Sequence, residues 1–365
     1  MTFTGESWIT TAYDKPNMQD YIGYKKAHEG LKVGVAFGGW DLGKVEFKAA
    51  MSEGSARVKL LDDFENWFKE TDPTGEVFDL IDIDYEYPQK QPDESAGFIS
   101  FLKALREKFP DKEISVAVSG LPSDGGYAKL GSVNDEKKVV DFFNVMTYDI
   151  VNRVSTQAGH HSSLIETENS LKLWADEAYG LKYEDINVGF AFYAKWFGIS
   201  NKDECKNDPK KCKFVVMQTK QADQCPTIPY KQEVTADPMS VVDCGTSSAF
   251  RFQPKNNANT FYHDVKLKSG GNFTMYENAQ ASYGRVPWDS EEKGIYDSDA
   301  KASLWVDDQA EFPLLWSWQS PKGMKETCDG LKELNVGGYM IWSLGGDNDK
   351  HSHIKALQES CWKHE

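Results

Sequence analysis

From about residue 17 to residue 195, short β-rich apolar runs alternate with stretches whose apolar residues recur every three or four positions. The runs Lys32–Phe37, Phe78–Asp84, Glu113–Ser119, Phe142–Thr147 and Ile186–Phe192 predict strands, and Ser55–Glu70, Glu94–Lys108, Asp135–Val140 and Ser162–Tyr179 predict helices. Strands buried on both faces read as continuous apolar runs, and repeated β-then-α order requires parallel crossovers. A further set closes the chain: a helix at Lys322–Leu334, a strand at Gly337–Ser343 and a last helix around His353–Ser360. Between Lys195 and about Val306 the alternation breaks into short pieces such as Asn272–Tyr276 and Pro-punctuated loops, which predicts an α+β insertion. The expected fold class is α/β, a closed (β/α)8 TIM barrel, which needs eight strands. Six are visible outside the insertion, so the first one or two strands are expected to be missing at the N-terminus. The expected division is 1–195 for the first part of the barrel, 196–305 for the insertion and 306–365 for the return to the barrel.

Charge narrows the partners. With 41 Lys+Arg against 57 Asp+Glu the net charge is −16, which disfavours nucleic acid and other polyanions, because counterion displacement needs a basic face. No run approaches the roughly 18 to 20 apolar residues of a membrane-spanning helix, so no membrane partner is expected. Cys205, Cys212, Cys225 and Cys244 cluster in the insertion, whereas Cys328 and Cys361 stand apart. The cluster lacks paired C-x2-C spacing and accompanying histidines, so disulfides are expected rather than zinc. That implies an oxidising compartment, and the sequon Asn272-Phe273-Thr274 is consistent with secretion. The segment beginning at Met1 has neither a basic nor an apolar leader region.

The candidate chemistry lies in Phe78-Asp79-Leu80-Ile81-Asp82-Ile83-Asp84-Tyr85-Glu86-Tyr87-Pro88. Side chains alternate along a strand, so Asp82, Asp84 and Glu86 share one face, successive acids being about 6 to 7 Å apart. A solvated acidic strand is ordinary in an antiparallel sheet. In the middle of a parallel series the same carboxylates are desolvated and repel one another, which raises at least one pKa and suits an acid that protonates a leaving oxygen. Catalytic groups sit at the C-terminal ends of barrel strands, where Glu86 falls.

This segment resembles the DxxDxDxE signature of family 18 glycoside hydrolases, the chitinases and their relatives. Ala36-Phe37-Gly38-Gly39-Trp40 resembles the family's S-x-G-G-W on its third strand, and Met146-Thr147-Tyr148-Asp149 its M-x-Y-D on the sixth. Tyr193 resembles the seventh-strand tyrosine, and Trp342 the eighth-strand tryptophan. The segment after Tyr193 resembles the family's insertion domain, and its C-x6-C-x12-C spacing is similar to a secreted fungal subgroup. Leu80 stands for the usual Gly, Tyr85 for Trp, Ala36 for Ser, and Lys195 where Arg is common.

The resemblance implies a retaining, substrate-assisted chitinase that cleaves β-1,4 bonds between N-acetylglucosamine units. Glu86 would be the acid and then the base, Asp84 would polarise the N-acetyl group, Asp82 would tune Asp84, and Tyr148 would steady the carbonyl oxygen. Gly38, Gly39, Trp40, Tyr87, Met146, Asp149, Tyr193 and Trp342 would bind chitin or chitooligosaccharides, with aromatic rings facing the sugars. No cofactor or metal is implied, and a secreted monomer is expected. Asp347, Asp349, His351 and His353 read as a polar loop entering the last helix, and His160-His161 as a pair in a loop. A chitin-binding lectin or effector on the same scaffold is the main alternative, since a scaffold does not fix function. Cleavage of the chitobiose core of N-glycans is another.

Overall fold

The computed structural model describes residues 2–3, 8–9, 18–39, 44–151, 158–199, 201–208, 211–212, 262–266, 272–276, 280–282, 294–307, 314–348 and 350–362. The chain divides into two compact units. The first comprises Met1–Met146, Ser170–Val188 and Asn335–Gly338; the second comprises Thr147–Asn169, Gly189–Leu334 and Tyr339–Glu365.

In chain order the strands are β1 (Thr2–Phe3), β2 (Trp8–Ile9), β3 (Gly34–Gly38), β4 (Leu80–Asp84), β5 (Glu113–Ser119), β6 (Phe142–Met146), β7 (Ile186–Ala191) and β8 (Tyr193–Gly198). They continue as β9 (Tyr262–Lys266), β10 (Asn272–Tyr276), β11 (Gln280–Ser282), β12 (Ile295–Asp297), β13 (Ala302–Asp307), β14 (Leu314–Trp318) and β15 (Gly338–Trp342). One sheet has the order β15-β7-β6-β5-β4-β3, and β3 through β7 pair in parallel. All six strands of the predicted β/α series are present, each within two residues of its expected ends.

The first unit buries its apolar strand faces under helices Ser55–Thr71 and Pro92–Lys108. In the former, Leu60, Leu61, Phe64, Trp67 and Phe68 recur at helical spacing and are buried. Phe37 of β3 stacks on Phe64 with centroids 4.0 Å apart, and Phe47 stacks on Tyr85 at 5.2 Å. Arg57 is buried in the same layer, where its guanidinium donates to the carbonyls of Ala50 and Met51 at 2.8 and 2.6 Å.

The helix expected at Asp135–Val140 does not form; a 3-10 turn at Leu130–Asn134 takes its place. The Asn134 side chain explains the difference. Its Oδ1 accepts from the N–H groups of Val139 and Val140, both at 2.9 Å, and its Nδ2 donates to the Val140 carbonyl at 2.9 Å. A side-chain amide thereby takes backbone groups a helix would have used.

In the second unit a seven-stranded sheet has the order β12-β13-β14-β8-β11-β10-β9, with antiparallel pairing throughout. Cys205 and Cys212 form a disulfide that packs with Ala158, Ile199, Leu304 and Leu315. Cys328 pairs with Cys361, joining helices Pro321–Leu331 and Ser352–Ser360. Cys225 and Cys244 lie outside the described residues. The polar loop before the last helix caps it: Asp347 accepts from the backbone N–H groups of Asn348, His353 and Ile354 at 2.8 to 3.2 Å.

Asn134→Ala is expected to destabilise the first unit by about 2 kcal/mol, since three buried or half-buried hydrogen bonds lose a partner. A shift of the urea midpoint without a change in slope checks it.

Candidate active site

Alternation along β4 works as the sequence predicts. Ile81, Ile83 and Tyr85 are buried on one face, leaving Asp82 and Asp84 on the other. Tyr85 packs between Phe47 and Phe98.

Asp82 sits at one end of a run of polar side chains. Its Oδ1 accepts from Ser115 Oγ of β5 and, at 3.1 Å, from Asn144 Nδ2 of β6. Asn144 Oδ1 in turn accepts from Asn187 Nδ2 of β7 at 3.1 Å. Burial raises the Asp82 pKa, and the bonds from Ser115 and Asn144 offset only part of the rise. Asp84 is held well above the usual carboxylate range, first by burial, then by the charges of Glu86 and Asp82. Its Oδ1 is buried with no hydrogen-bond partner among the described residues.

The two glycines beside Asp84 meet different needs, Gly38 a steric one and Gly39, at φ 108°, a conformational one. Gly38 has φ 114°, and a Cβ there would lie 2.1 Å from the Asp84 carbonyl oxygen. Gly39 N–H donates to that oxygen at 2.8 Å. Backbone approaches backbone where any side chain would intrude.

Beyond β4 the chain carrying Glu86 is tied from two directions. Glu94, buried at the start of helix Pro92–Lys108, accepts through Oε1 from Tyr85 OH and from the backbone N–H of Gln89, both at 2.8 Å. On the other side Gly126 N–H donates to the Pro88 carbonyl at 2.8 Å. Half-buried Tyr87 packs edge-on to Tyr127 with centroids 6.3 Å apart. Tyr127 is buried, and its phenol is pushed well up by burial and then by the charge of Glu86. Met146 ends β6, half-buried and paired with Ser119.

The remaining predicted residues lie in the second unit. Asp149 has a left-handed backbone, φ 57°. Its Oδ1 accepts from Lys195 Nζ at 2.6 Å and from Tyr193 OH at 2.8 Å, and His161 Nδ1 lies 3.5 Å away. Burial alone would raise the Asp149 pKa; the Lys195 ammonium and His161 more than reverse this and hold it well below the ordinary range. His161 lies in a loop, as expected, but is fully buried there, and burial pushes its imidazole down despite Asp149. It accepts through Nδ1 from the Asp149 backbone N–H at 3.3 Å. Tyr148 is buried, its hydroxyl donating to Met340 Sδ at 3.7 Å and its ring meeting Tyr193 edge-on. Trp342 ends β15 with 57% of its surface exposed. Trp40 lies outside the described residues.

The structure thus gathers Gly38, Gly39, Asp82, Asp84, Glu86 and Tyr87 in the first unit, and Tyr148, Asp149 and Tyr193 in the second. Ser115, Asn144, Asn187, Glu94, Tyr127 and His161 are additional. Three of these carry a readable signal: Ser115, Asn144 and Asn187 are lone polar residues inside apolar strands, where an inward polar group needs a partner. Among the described residues no group of His, Cys, Asp or Glu is arranged to hold a metal ion, and Asp82 on β4 meets hydrogen-bond donors instead.

Residues 3–347 match the profile of the Glycosyl hydrolases family 18. Probable chitinase 2 of Drosophila melanogaster is 24% identical over 193 residues, 51% of this chain and 39% of the relative, so the chain spans about two fifths of that protein. The class V chitinase of Nicotiana tobaccum, solved as a variant in complex with NAG4, superposes with TM-score 0.65 at 12% identity, covering 98% of this chain and 88% of that one. The chitinase-like agglutinin of Robinia pseudoacacia superposes with TM-score 0.60 at 14% identity, covering 96% and 88%. At these identities the likeness shows a shared, TIM-barrel-like fold.

Two outcomes are expected from the electrostatics. A carboxyl whose folded-state pKa is raised adds stability below its unfolded-state pKa and loses it as pH rises through the folded-state value. Asp84→Asn is therefore expected to stabilise the protein at neutral pH by about 1 kcal/mol, the usual scale for relieving a functional group, with the gain vanishing in acid. Asp149 has the opposite sign: its stability is present above the ordinary Asp pKa and lost only as pH falls through a depressed value. Lys195→Met is expected to cost about 2 kcal/mol at neutral pH, less than a fully buried pair because Asp149 keeps 36% of its side chain exposed. Urea unfolding across a pH series measures both.

Proposed function

The chain belongs to glycosyl hydrolase family 18, and on that premise we propose that it is a chitinase acting on chitin or chitooligosaccharides by retaining, substrate-assisted hydrolysis. The observation that carries this reading is the buried Asp84 Oδ1, an acceptor without a partner among the described residues, flanked by the charges of Asp82 and Glu86. A buried unpaired acceptor is expensive unless a ligand supplies the donor. The N–H of a 2-acetamido group is such a donor, and a substrate that brings its own nucleophile needs no second enzymic carboxylate at the anomeric carbon.

In this scheme Glu86 transfers its proton to the glycosidic oxygen as the bond to the anomeric carbon breaks. The acetamido carbonyl oxygen forms the new bond on the opposite face, giving an oxazolinium ion and releasing the leaving sugar. Glu86, now a carboxylate, takes a proton from water as that water opens the ring with net retention. Asp84 holds the acetamido N–H and balances the positive charge, and the raised Asp84 pKa favours sharing a proton with Asp82 or the substrate. Tyr148 is assigned the hydrogen bond to the acetamido oxygen. Asp149, fixed as an anion by Lys195, is assigned a sugar hydroxyl, and the exposed indole of Trp342 a sugar face.

The antiparallel strands β9 to β12, which fall within 196–305, support reading that segment as the family's insertion between the two barrel segments 1–195 and 306–365. The two disulfides among the described residues support secretion. A lectin is the second reading, favoured by the agglutinin that shares this fold.

Glu86→Gln is expected to lower kcat on chitooligosaccharides by about 10² to 10⁴, the usual worth of a general acid, while affinity persists. Release of chitobiose-type fragments by the wild type checks the reading. Tight binding with no release overturns it in favour of the lectin.

A further inference from the structure

Glu94 belongs to no part of the acidic signature, yet it is a buried carboxylate eight residues beyond the proposed acid. An acid in the first turn of a helix ordinarily turns toward that helix's own open N–H groups. Glu94 does otherwise. Both bonds at its Oε1 come from outside the helix, from Tyr85 OH and Gln89 N–H, the residues that bracket Glu86 on either side. A single oxygen therefore joins the two ends of a five-residue segment with Glu86 inside it. Gly126 N–H on the Pro88 carbonyl adds a third tie, and a Cβ on Gly126 would lie 1.9 Å from the Gln89 carbonyl oxygen, so that side is closed as well.

Tyr85 links this arrangement to the strand. On its face of β4, Ile81 and Ile83 contribute hydrocarbon alone, whereas Tyr85 wedges its ring between Phe47 and Phe98 and extends a hydroxyl to Glu94. Burial and then Glu94 keep that phenol protonated, so it remains a donor. A tryptophan, which the family signature carries here, has no hydroxyl for this bond.

We propose that Glu94 and Tyr85 act as positioning residues that hold the Glu86 carboxyl at the height and angle needed to protonate the glycosidic oxygen. The proposal rests on the hydrolase reading above. A general acid must lie within hydrogen-bond reach of the oxygen it protonates, and a misplacement of about 1 Å can cost about 10²-fold in rate. The bonds at Glu94 do not touch substrate, so their loss is expected to weaken transition-state protonation and leave ground-state binding alone.

The test compares two substrates that differ in how much protonation their leaving group needs: tetra-N-acetylchitotetraose, whose sugar alkoxide leaves only when protonated, and 2,4-dinitrophenyl N,N′-diacetyl-β-chitobioside, whose phenolate leaves unaided. The quantity read is kcat/KM, which reports the bond-breaking step. Tyr85→Phe and Glu94→Ala are each expected to lower kcat/KM on the tetramer by about tenfold, through kcat with KM within about twofold, and on the dinitrophenyl glycoside by less than about threefold. Glu94→Gln, whose amide oxygen accepts the same two bonds, is expected to stay within about threefold of wild type on both. Equal losses on the two substrates, or no loss on the tetramer, overturn the proposal. Tyr85→Phe keeps the packed ring and carries the test if Glu94→Ala fails to fold. A wild-type protein that binds the tetramer and hydrolyses neither substrate overturns the hydrolase reading and the clamp together. An active wild type with unaffected variants overturns the clamp alone.

Discussion

Keeping two carboxyl groups inside an apolar parallel sheet is the constraint on which the first unit depends. Asp82 and Asp84 occupy neighbouring inward positions of one strand, where each is desolvated and Asp84 also feels the charge of Asp82. The sheet answers with donors supplied strand by strand: Ser115 on β5, Asn144 on β6, and Asn187 supporting Asn144 from β7. That series serves Asp82 and stops there. Asp84 Oδ1 is left, among the described residues, as a buried carboxylate oxygen without a donor, two residues before Glu86.

The second unit solves a related problem with charge instead of neutral donors. Asp149 is surrounded by Lys195, Tyr193 and His161, and remains an anion through the physiological range. Asp84 and Asp149 are thus pushed in opposite directions: burial and two neighbouring carboxylates raise the one, while a lysine and a histidine outweigh desolvation at the other.

Much of this was legible from the chain alone, for identifiable reasons. The strands of the β/α series are buried on both faces, so they appear as uninterrupted apolar runs, and period-two alternation placed Asp82, Asp84 and Tyr85 on the correct faces. The close approach of Gly38 to the Asp84 carbonyl depends on strand register and could not be read from the sequence. The Asn144 and Asn187 partnership depends on register in the same way. His161 was hidden because burial of a loop residue follows from what packs over it. Glu94 was hidden by composition: among Gln, Lys, Pro and Asp it looks like one more solvated acid. The Asp135–Val140 reading failed because apolar spacing carries no record of what a neighbouring amide side chain does to the backbone.

The bond between Cys328 and Cys361 spans a sequence separation of 33 residues, and β15 with its exposed Trp342 lies wholly within the loop it closes. A protease can cut an exposed turn inside this loop without detaching the indole-bearing strand, because the two fragments stay covalently joined. Separating them takes both cleavage and reduction, in either order. A nicked chain would therefore run as one species on a non-reducing gel and as two on a reducing one, and the exposed indole of Trp342 keeps its attachment through a single cut.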